Sequence, residues 1–308
     1  MALRSTSVAG AIAVLLAGSG CIDLASADFG KYTEREEKRF STTGTPELNL
    51  STFDGAIEIR SWDKPDVEVI IEKRAASKDA AAMIEIHAEQ NGNQVTIDVK
   101  TQKRNGGFGI HFNNSRSAKL IVSTPATSNI TARSGDGSID VEHVSGRLEL
   151  RTGDGSIRGR DLGGQVRAHT GDGSIKLDGV NGALDADTGD GSVAVSGKMT
   201  SVRARTGDGS VTIHANPGSV PESDWDITTG DGSVALELPD GFNGELDAHT
   251  GDGSIRMNDI TVSNVSGTIS RNNVRGRLGA GGRSLRVRTG DGSITLRKSL
   301  SAEATGTR

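Results

Sequence analysis

The stretch Gly171–Thr188, GDGSIKLDGVNGALDADT, contains the pattern from which the fold can be predicted. Apolar residues such as Ile175 and Leu177 alternate with polar ones, and Asn181-Gly182 supplies a turn signal between two alternating runs. Alternation with a period of two is typical of a β-strand that buries one face. The stretch therefore predicts two short strands and two turns.

The motif Gly-Asp-Gly-Ser that opens this stretch occurs eight times in the chain. Five copies follow one another at steps of 18 residues, and three more follow at steps of 23, 21 and 39. The copies begin at Gly135, Gly153, Gly171, Gly189, Gly207, Gly230, Gly251 and Gly290. A fixed period indicates a repeat architecture, and stacked units about 4.8 Å apart would bury the apolar faces that a lone hairpin leaves exposed. We predict an all-β, flattened two-sheet solenoid with about 18 residues per coil.

The repeated motif is interpreted as a corner. Glycine supplies positive φ angles, and Asp bonds to backbone N–H groups just downstream. Threonines precede most copies on the inward parity, where a hydroxyl can satisfy backbone groups of the corner: Thr152, Thr170, Thr188, Thr206, Thr250 and Thr289. The longer steps predict inserted loops, such as Asn216–Asp224, and the step of 39 predicts a coil that has lost its motif around Arg271–Gly276.

The two ends of the chain differ from the array. Residues 1–27 combine Arg4, an apolar run and Ala25-Ser26-Ala27, which predicts a cleaved export signal. The alternative is a lipoprotein whose N-terminus is Cys21, the only cysteine. Either alternative places the protein in the periplasm or on the cell surface, and no transmembrane segment is expected in the mature chain.

The other boundaries follow from the alternation. We expect a linker, or else a first, poorly ordered strand, over residues 28–45, an irregular β part over 46–125, the regular array over 126–298 and a disordered tail over 299–308. The irregular part is either a distorted continuation of the solenoid or a β cap on its end, since an open end invites edge pairing. One helix is predicted, over Lys78–Met83 after Ser77.

Several of these segments resemble a known family. The run Leu50–Ile59 with Trp62, the Thr-Gly-Asp-Gly-Ser-Ile coils and the closing run Leu285–Ile294 are similar to the bacterial "putative adhesin" domains of unknown function, also called toast-rack domains. The resemblance covers roughly residues 46–298. It implies a single-stranded right-handed β-helix that is exported to the cell envelope, and it implies no active-site residues.

The strongest candidate for a ligand site is the row of motif aspartates. Neighbouring carboxylates about 4.8 Å apart repel each other by about 0.9 kcal/mol in water, so they need compensation. They either bond to their own turns or bind calcium, which prefers several oxygen ligands. Calcium-binding β-rolls place the Asp differently relative to the glycines, which favours the turn interpretation. The row comprises Asp136, Asp154, Asp172, Asp190, Asp208, Asp231, Asp252 and Asp291.

The remaining residue patterns argue against catalysis. Four histidines, His87, His111, His143 and His214, are scattered without metal-ligand spacing, and no nucleophile or phosphate-binding motif is present. We therefore predict no catalytic, metal or cofactor site. A net charge of −5 with interleaved acids and bases, and only 3% aromatic residues, argue against nucleic-acid binding.

The predicted function is that of an exported, non-enzymatic module that presents a rigid surface to an envelope protein or glycan. A calcium-binding β-roll and a carbohydrate-active β-helix enzyme are the alternatives. The glycine-rich stretch Asn105–Asn114, with Phe108 and Phe112, is either an apolar loop on the solenoid end or a contact for a partner or membrane surface.

Overall fold

The computed structural model describes residues 32–102, 116–265 and 270–299, and in these ranges the protein is all-β with one short helix. The elements are β1 (Tyr32–Phe40), β2 (Glu47–Thr52), β3 (Ile57–Trp62), β4 (Val67–Ala75), α1 (Lys78–Ala82), β5 (Ile84–Asn91), β6 (Gln94–Thr101), β7 (Ser117–Pro125), β8 (Asn129–Ser134), β9 (Ile139–Glu142), β10 (Ser145–Thr152), β11 (Ile157–Arg160), β12 (Gly163–Thr170), β13 (Ile175–Thr188), β14 (Val193–Thr206), β15 (Val211–Ala215), β16 (Trp225–Thr229), β17 (Val234–Leu238), β18 (Gly244–Thr250), β19 (Ile255–Asn258), β20 (Val262–Ser263), β21 (Asn273–Leu278), β22 (Ser284–Thr289) and β23 (Ile294–Lys298).

Hydrogen bonding between the strands follows two ladders. The first ladder runs β5, β6, β2, β8, β10, β12, β13, β14, β16, β22, β18, β21 and β20. The second runs β1, β4, β7, β3, β9, β11, β13, β14, β15, β17, β23 and β19. Because the long strands β13 and β14 belong to both ladders, the two expected sheets form one continuous 23-stranded sheet.

Equivalent residues of successive repeats lie side by side in parallel register. Ile157 is opposite Ile139 and Ile175, eighteen residues before and after it. Each Gly-Asp-Gly-Ser motif connects a strand of the first ladder to a strand of the second, and we call such a pair of strands a coil. The handedness of the winding stays a prediction.

The inward side chains of both ladders form one hydrophobic cluster. Small residues of the first ladder, such as Ala168 and Ala186, are buried in the same cluster as larger residues of the second, such as Ile157 and Ile175. Burial of the whole cluster from water is the main stabilising contribution, at about 25 cal/mol per Å² of apolar surface. The alternation read from the sequence therefore defines which residues enter the core.

The order of the last coils in the stack differs from their order in the chain. Strand β22 lies between β16 and β18, and β23 lies between β17 and β19, so the last coil is inserted between the two coils that precede it. The sequence predicted that Arg271–Gly276 is a coil that has lost its motif, and this is wrong. Most of the stretch belongs to β21, which pairs antiparallel with β18. The step of 39 residues from Gly251 to Gly290 contains β19, the capping strands β20 and β21, and the inserted strand β22.

The first coil is inserted in the same way. Strand β2 lies between β6 and β8, and β3 lies between β7 and β9. The two alternatives expected for the segment 46–125 are thus both present: it contains two further coils of the stack, and it contains antiparallel strands that cap the end. Of the two alternatives for residues 28–45, the linker is wrong and the strand is confirmed for Tyr32–Phe40, because these residues form β1 against β4. Charged side chains on an end strand such as β1 discourage edge-to-edge association.

The short helix agrees with the sequence prediction. It begins after Ser77, whose hydroxyl accepts a hydrogen bond from the Ala80 N–H at 3.2 Å, as an N-cap residue does. Over the three described ranges, no helix has the length and apolar character that crossing a membrane requires. The predicted export signal, Cys21, Asn105–Asn114 and residues 300–308 of the predicted tail lie outside the described residues.

Candidate functional site

The corners are held together by the threonines that precede them. Thr170 donates its hydroxyl to the carbonyl oxygens of Gly155, at 2.8 Å, and Gly153, at 3.1 Å, both in the preceding corner. The same hydroxyl accepts from the Gly173 N–H at 3.2 Å. The inward parity predicted for these threonines is confirmed, since all six are buried. Thr229, which the sequence analysis missed, bonds to Gly207 and Gly209 in the same way.

We expect the substitution Thr170→Val to lower the free energy of unfolding by about 1–3 kcal/mol, because it leaves buried backbone groups without their partner. Valine keeps the shape, so the change isolates the hydroxyl. Equilibrium urea unfolding measures the loss, with Thr170→Ser as the control that keeps the bond. A valine variant as stable as the serine variant would contradict this role.

The glycines of the corners are required for close stacking, which corrects the expectation of positive φ. Their φ angles lie outside the left-handed range, whereas Gly164 and Gly182 of the opposite turns have φ of 86° and 136°. A Cβ built on Gly173 would lie 2.0 Å from the carbonyl oxygen of Gly155. Because real Cβ atoms do not approach so closely, the second glycine of each motif leaves room for the backbone of the adjacent corner.

The motif aspartates form an exposed row along this edge of the stack. All eight residues are exposed, and among the described residues no hydrogen bond or ion pair involves their carboxylates, so the expected bond of each Asp to its own turn is wrong. The corners pair in the order 135, 153, 171, 189, 207, 230, 290 and 251. Asp54 of the first coil is a ninth member that the sequence analysis missed, because its motif reads Phe-Asp-Gly-Ala.

The ionised carboxyl group of Asp54 is destabilised by its position in this row. Partial burial, and next the charge of Asp136, raise the pKa of Asp54 above its usual value. A raised pKa of an acid means that the ionised form is destabilised in the folded state, so this cost is present at neutral pH and disappears as the group is protonated.

We therefore expect Asp54→Asn to raise the unfolding temperature slightly at pH 7, by no more than about 2 °C because the site is largely solvated. The difference from the unsubstituted protein should vanish as the pH falls through the pKa of Asp54. Thermal unfolding from pH 3 to pH 8 measures it. A variant that is less stable at pH 7 would show that this carboxylate is stabilising.

The outer faces of the two ladders carry charges that are mostly paired. On these faces His169 contacts Asp187 at 3.4 Å and His214 contacts Glu237, and in the turns opposite the corners His143 contacts Asp161 at 3.2 Å. Across the described ranges, no group of three or more His, Cys, Asp or Glu side chains is placed to hold a metal ion. These faces therefore present balanced charge.

Three inserted loops meet at the edge opposite the corners, and we call this region the loop edge. The loops are residues 216–224 between β15 and β16, 239–243 between β17 and β18, and 279–283 between β21 and β22. The first of them is the loop predicted from the longer repeat step. Their meeting depends on the insertion of the last coil, which could not be predicted from the spacing.

The loop edge is fixed by hydrogen bonds between the loops and to the stack. Asn243 accepts a bond from the Ala280 N–H at 2.7 Å, and Asp224 accepts one from the Ser284 N–H at 3.0 Å. Ser219 accepts from the Met199 N–H at 3.1 Å. Below the loops, the buried rings of Trp225 and Phe242 pack edge to face with centroids 5.2 Å apart. The loops are thus joined to each other and to the core.

A groove of about 450 Å³ lies between these loops. Val220 and Pro221 supply apolar surface, Asn243 and Arg283 supply polar groups, and Gly281-Gly282 contributes backbone without side chains. Val220 is 63% exposed, more than the other exposed large hydrophobic residue among the described residues, Val265 at 41%. An apolar patch beside a few polar groups is the usual composition of a binding site.

The fold and this edge define the class of protein: a stacked all-β protein with a preformed groove on one edge. The family model described as Toastrack DUF4097 matches residues 45–297, and the chain belongs to this family. The resemblance seen in the sequence is thereby confirmed. The comparison with curated proteins gives no match.

Solved structures similar to this chain come from several bacteria. One is described as a putative adhesin from Bacteroides fragilis, with 12% identity, a TM-score of 0.44, and coverage of 86% of this chain and 97% of that chain. Another is described as a putative lipid binding protein from Parabacteroides distasonis, with 13% identity, a TM-score of 0.42, and coverage of 85% and 96%. A putative cell adhesion protein from Clostridium sporogenes has 13% identity, a TM-score of 0.28, and coverage of 87% and 100%.

Proposed function

We propose that this protein is a non-enzymatic binding module, exported to the cell envelope, which recognises an envelope protein or glycan through its loop edge. The observation that carries the proposal is the groove between three loops that are hydrogen-bonded to one another and packed on Trp225 and Phe242. Loops fixed on a rigid scaffold commonly carry recognition, and little ordering entropy is lost when such a surface binds.

The chemistry of the groove supports a neutral or acidic ligand. Arg283 offers a guanidinium that can bind a carboxylate or hydroxyl groups, and Val220 offers apolar contact. The outer faces support recognition less well, because their acids and bases already neutralise each other. Support for export comes from the sequence of residues 1–27.

The non-enzymatic part of the proposal rests on the residue types at this edge. The groove is lined by Ser, Val, Pro, Gly, Asn and Arg, which do not provide the paired carboxylates or the base-activated nucleophile that hydrolysis requires. His169 lies on the outer face of β12 beside Asp187, and His143 lies in the turn after β9 beside Asp161. This arrangement supports binding without turnover.

The experiment that tests the proposal is sedimentation of the full chain with isolated envelope fractions of the source bacterium. Val220→Glu places a charge in the apolar part of the groove and should lower the bound fraction at least about tenfold. Thr212→Glu, which adds the same charge on the outer face of β15, is the matched control and should bind normally. Equal binding by all three proteins, or equal loss in both variants, would overturn the proposal.

Calcium binding by the motif aspartates is the second candidate function. It rests on the exposed row of eight carboxylates, although among the described residues no three acids are placed to share one ion. Thermal unfolding in EDTA and then with added calcium tests it. A dose-dependent rise in the unfolding temperature would support a calcium-binding β-roll, whereas an unchanged transition would leave the aspartates as hydrated corner residues.

A further inference from the structure

One column of outward side chains on the first ladder alternates in charge from strand to strand. The column consists of the residues three positions before each corner threonine, and it ends on the antiparallel strand β21. In the order of the stack it reads Glu149, Arg167, Asp185, Arg203, Asp226, Arg286, Asp247 and Arg275. Opposite charges on adjacent strands stabilise a sheet, and like charges directly opposite destabilise it.

The alternation holds only in the order of the stack. In the order of the chain, Asp247 would follow Asp226, and two carboxylates would lie directly opposite each other. Insertion of the last coil places Arg286 between them, opposite Asp226 on one side and Asp247 on the other. This exception to sequential winding, one of two in the stack, thus coincides with the point where sequential winding would bring like charges together.

The closest ion pairs around the inserted coil are made by Arg275, Arg288 and Arg205, whereas Arg286 faces Asp226 and Asp247 by register, with no ion pair within 4 Å among the described residues. Arg275 Nε lies 2.9 Å from Asp247 Oδ1, and Arg288 of the inserted strand also binds the Asp247 carboxylate. Partial burial opposes ionisation of Asp247, but the hydrogen bonds and charges of Arg288 and Arg275 hold its pKa below its usual value. On the other side, Arg205 binds Asp226 at 2.9 Å.

The inward residues of the last two coils are similar, so they give little preference for one stacking order over the other. Strand β22 contributes Leu285 and Val287 to the core and β18 contributes Leu246 and Ala248, which differ by two methyl groups at one position. Each of the two strands ends at a threonine that is followed by Gly-Asp-Gly-Ser, so their corners can stack in either order. Apolar packing and corner chemistry therefore discriminate weakly between the two orders.

We propose that the alternating charges of this column determine the order in which the last two coils stack, with Arg286 and Asp247 as the ordering residues. Because the insertion brings residues 279–283 beside the other two loops, the same charges assemble the loop edge. Arg286 is thus a positioning residue that acts through the order of the strands.

Two cysteine pairs report the order of the coils. Ala235 lies opposite Thr295, and Thr295 lies opposite Arg256, so Ala235 and Arg256 are two strands apart. The pair A235C/T295C can form a disulfide in the inserted order, while A235C/R256C is separated by about 9.6 Å and cannot. In the order of the chain, A235C/R256C would be adjacent. Both pairs are made in the full chain with C21S, which removes its only natural cysteine.

The test exchanges the two ordering charges. D247R/R286D keeps the composition but makes the column alternate in the order of the chain. We expect the yield of the 235–256 disulfide relative to the 235–295 disulfide to rise about tenfold, and this change to shrink in 1 M NaCl, where charges are screened within about 3 Å. D247E/R286K keeps the signs and should behave as the unsubstituted chain. Unchanged disulfide yields in D247R/R286D would overturn the proposal.

A second measurement applies if D247R/R286D does not fold. R286Q removes the cation that lies between Asp226 and Asp247 in this column, while Arg205, Arg275 and Arg288 still bind the two carboxylates, and it should lower the unfolding temperature slightly. D226N/R286Q removes one of the two carboxylates and should recover at least half of that loss. If R286Q is as stable as the unsubstituted chain, or if D226N does not recover stability, the ordering role of Arg286 is wrong.

Discussion

The substitution Gly191→Ala is expected to destabilise the protein by at least about 3 kcal/mol, although it adds a single methyl group. A Cβ on Gly191 would lie 2.0 Å from the carbonyl oxygen of Gly173 and 2.5 Å from its carbonyl carbon. The obstacle is the backbone of the preceding corner, so no side chain can rotate to relieve it. The adjacent corner must shift, and with it the Thr188 hydroxyl loses its bond to Gly173. Equilibrium unfolding in urea measures the loss.

Gly92→Ala is the control for this prediction. Gly92 has a φ of 60°, but a Cβ there would meet nothing within 4 Å. The cost at Gly92 should therefore be that of the left-handed conformation alone, about 1–2 kcal/mol. If Gly191→Ala costs no more than Gly92→Ala, close stacking does not explain the corner glycines.

The substitution Trp225→Ala is expected to cost about 3–5 kcal/mol, the range for removing a fully buried aromatic side chain. Trp225 is completely buried and packs against Phe242, which anchors the loop 239–243. The cavity would lie directly below the loop edge. Binding to envelope fractions should therefore weaken together with stability, as measured by urea unfolding and by sedimentation.

Trp225→Phe separates the volume of the ring from its polar group. The indole N–H of Trp225 is buried and has no hydrogen-bond partner among the described residues. Phenylalanine removes this unpaired group while keeping an aromatic contact with Phe242, so the loss of stability should be below about 1.5 kcal/mol. A loss as large as that of Trp225→Ala would show that the indole N–H is needed, which would contradict this explanation.

The local structure of the coils could be predicted from the sequence because it depends on short-range patterns. The parity that Thr170 shares with Val166 and Ala168 predicts that its hydroxyl points inward, and the structure confirms this. The reason for the corner glycines could not be predicted. The approach of Gly173 to Gly155 depends on the distance between stacked backbones, which a pattern within one repeat does not contain.

The order of the coils was not predictable from spacing for a physical reason. Strands that share a pattern can pair in any order, and the chain order is the default when connections are short. The charges of Asp226, Asp247 and Arg286 are present in the sequence, but their significance appears only when the register is known. For β1 the sequence left a linker and a strand open, because its run of charged residues has no apolar face.

The candidate binding site was predicted only in part. The length of the step after Gly207 predicts the loop 216–224, and the structure has a loop at these residues. The groove itself requires Asn243 to bind the Ala280 N–H and Asp224 to bind the Ser284 N–H, contacts between residues 37 and 60 positions apart. Such contacts follow from the insertion of the last coil and leave no signal at short range.

The most direct test of the proposed recognition is hydrogen–deuterium exchange of the full chain, measured alone and with the envelope fraction that it binds. Slower exchange in residues 216–224, 239–243 and 279–283, with little change at the Gly-Asp-Gly-Ser corners, is the expected result. Slower exchange along the corners, with the three loops unchanged, would contradict recognition by the loop edge and would direct attention to the row of aspartates.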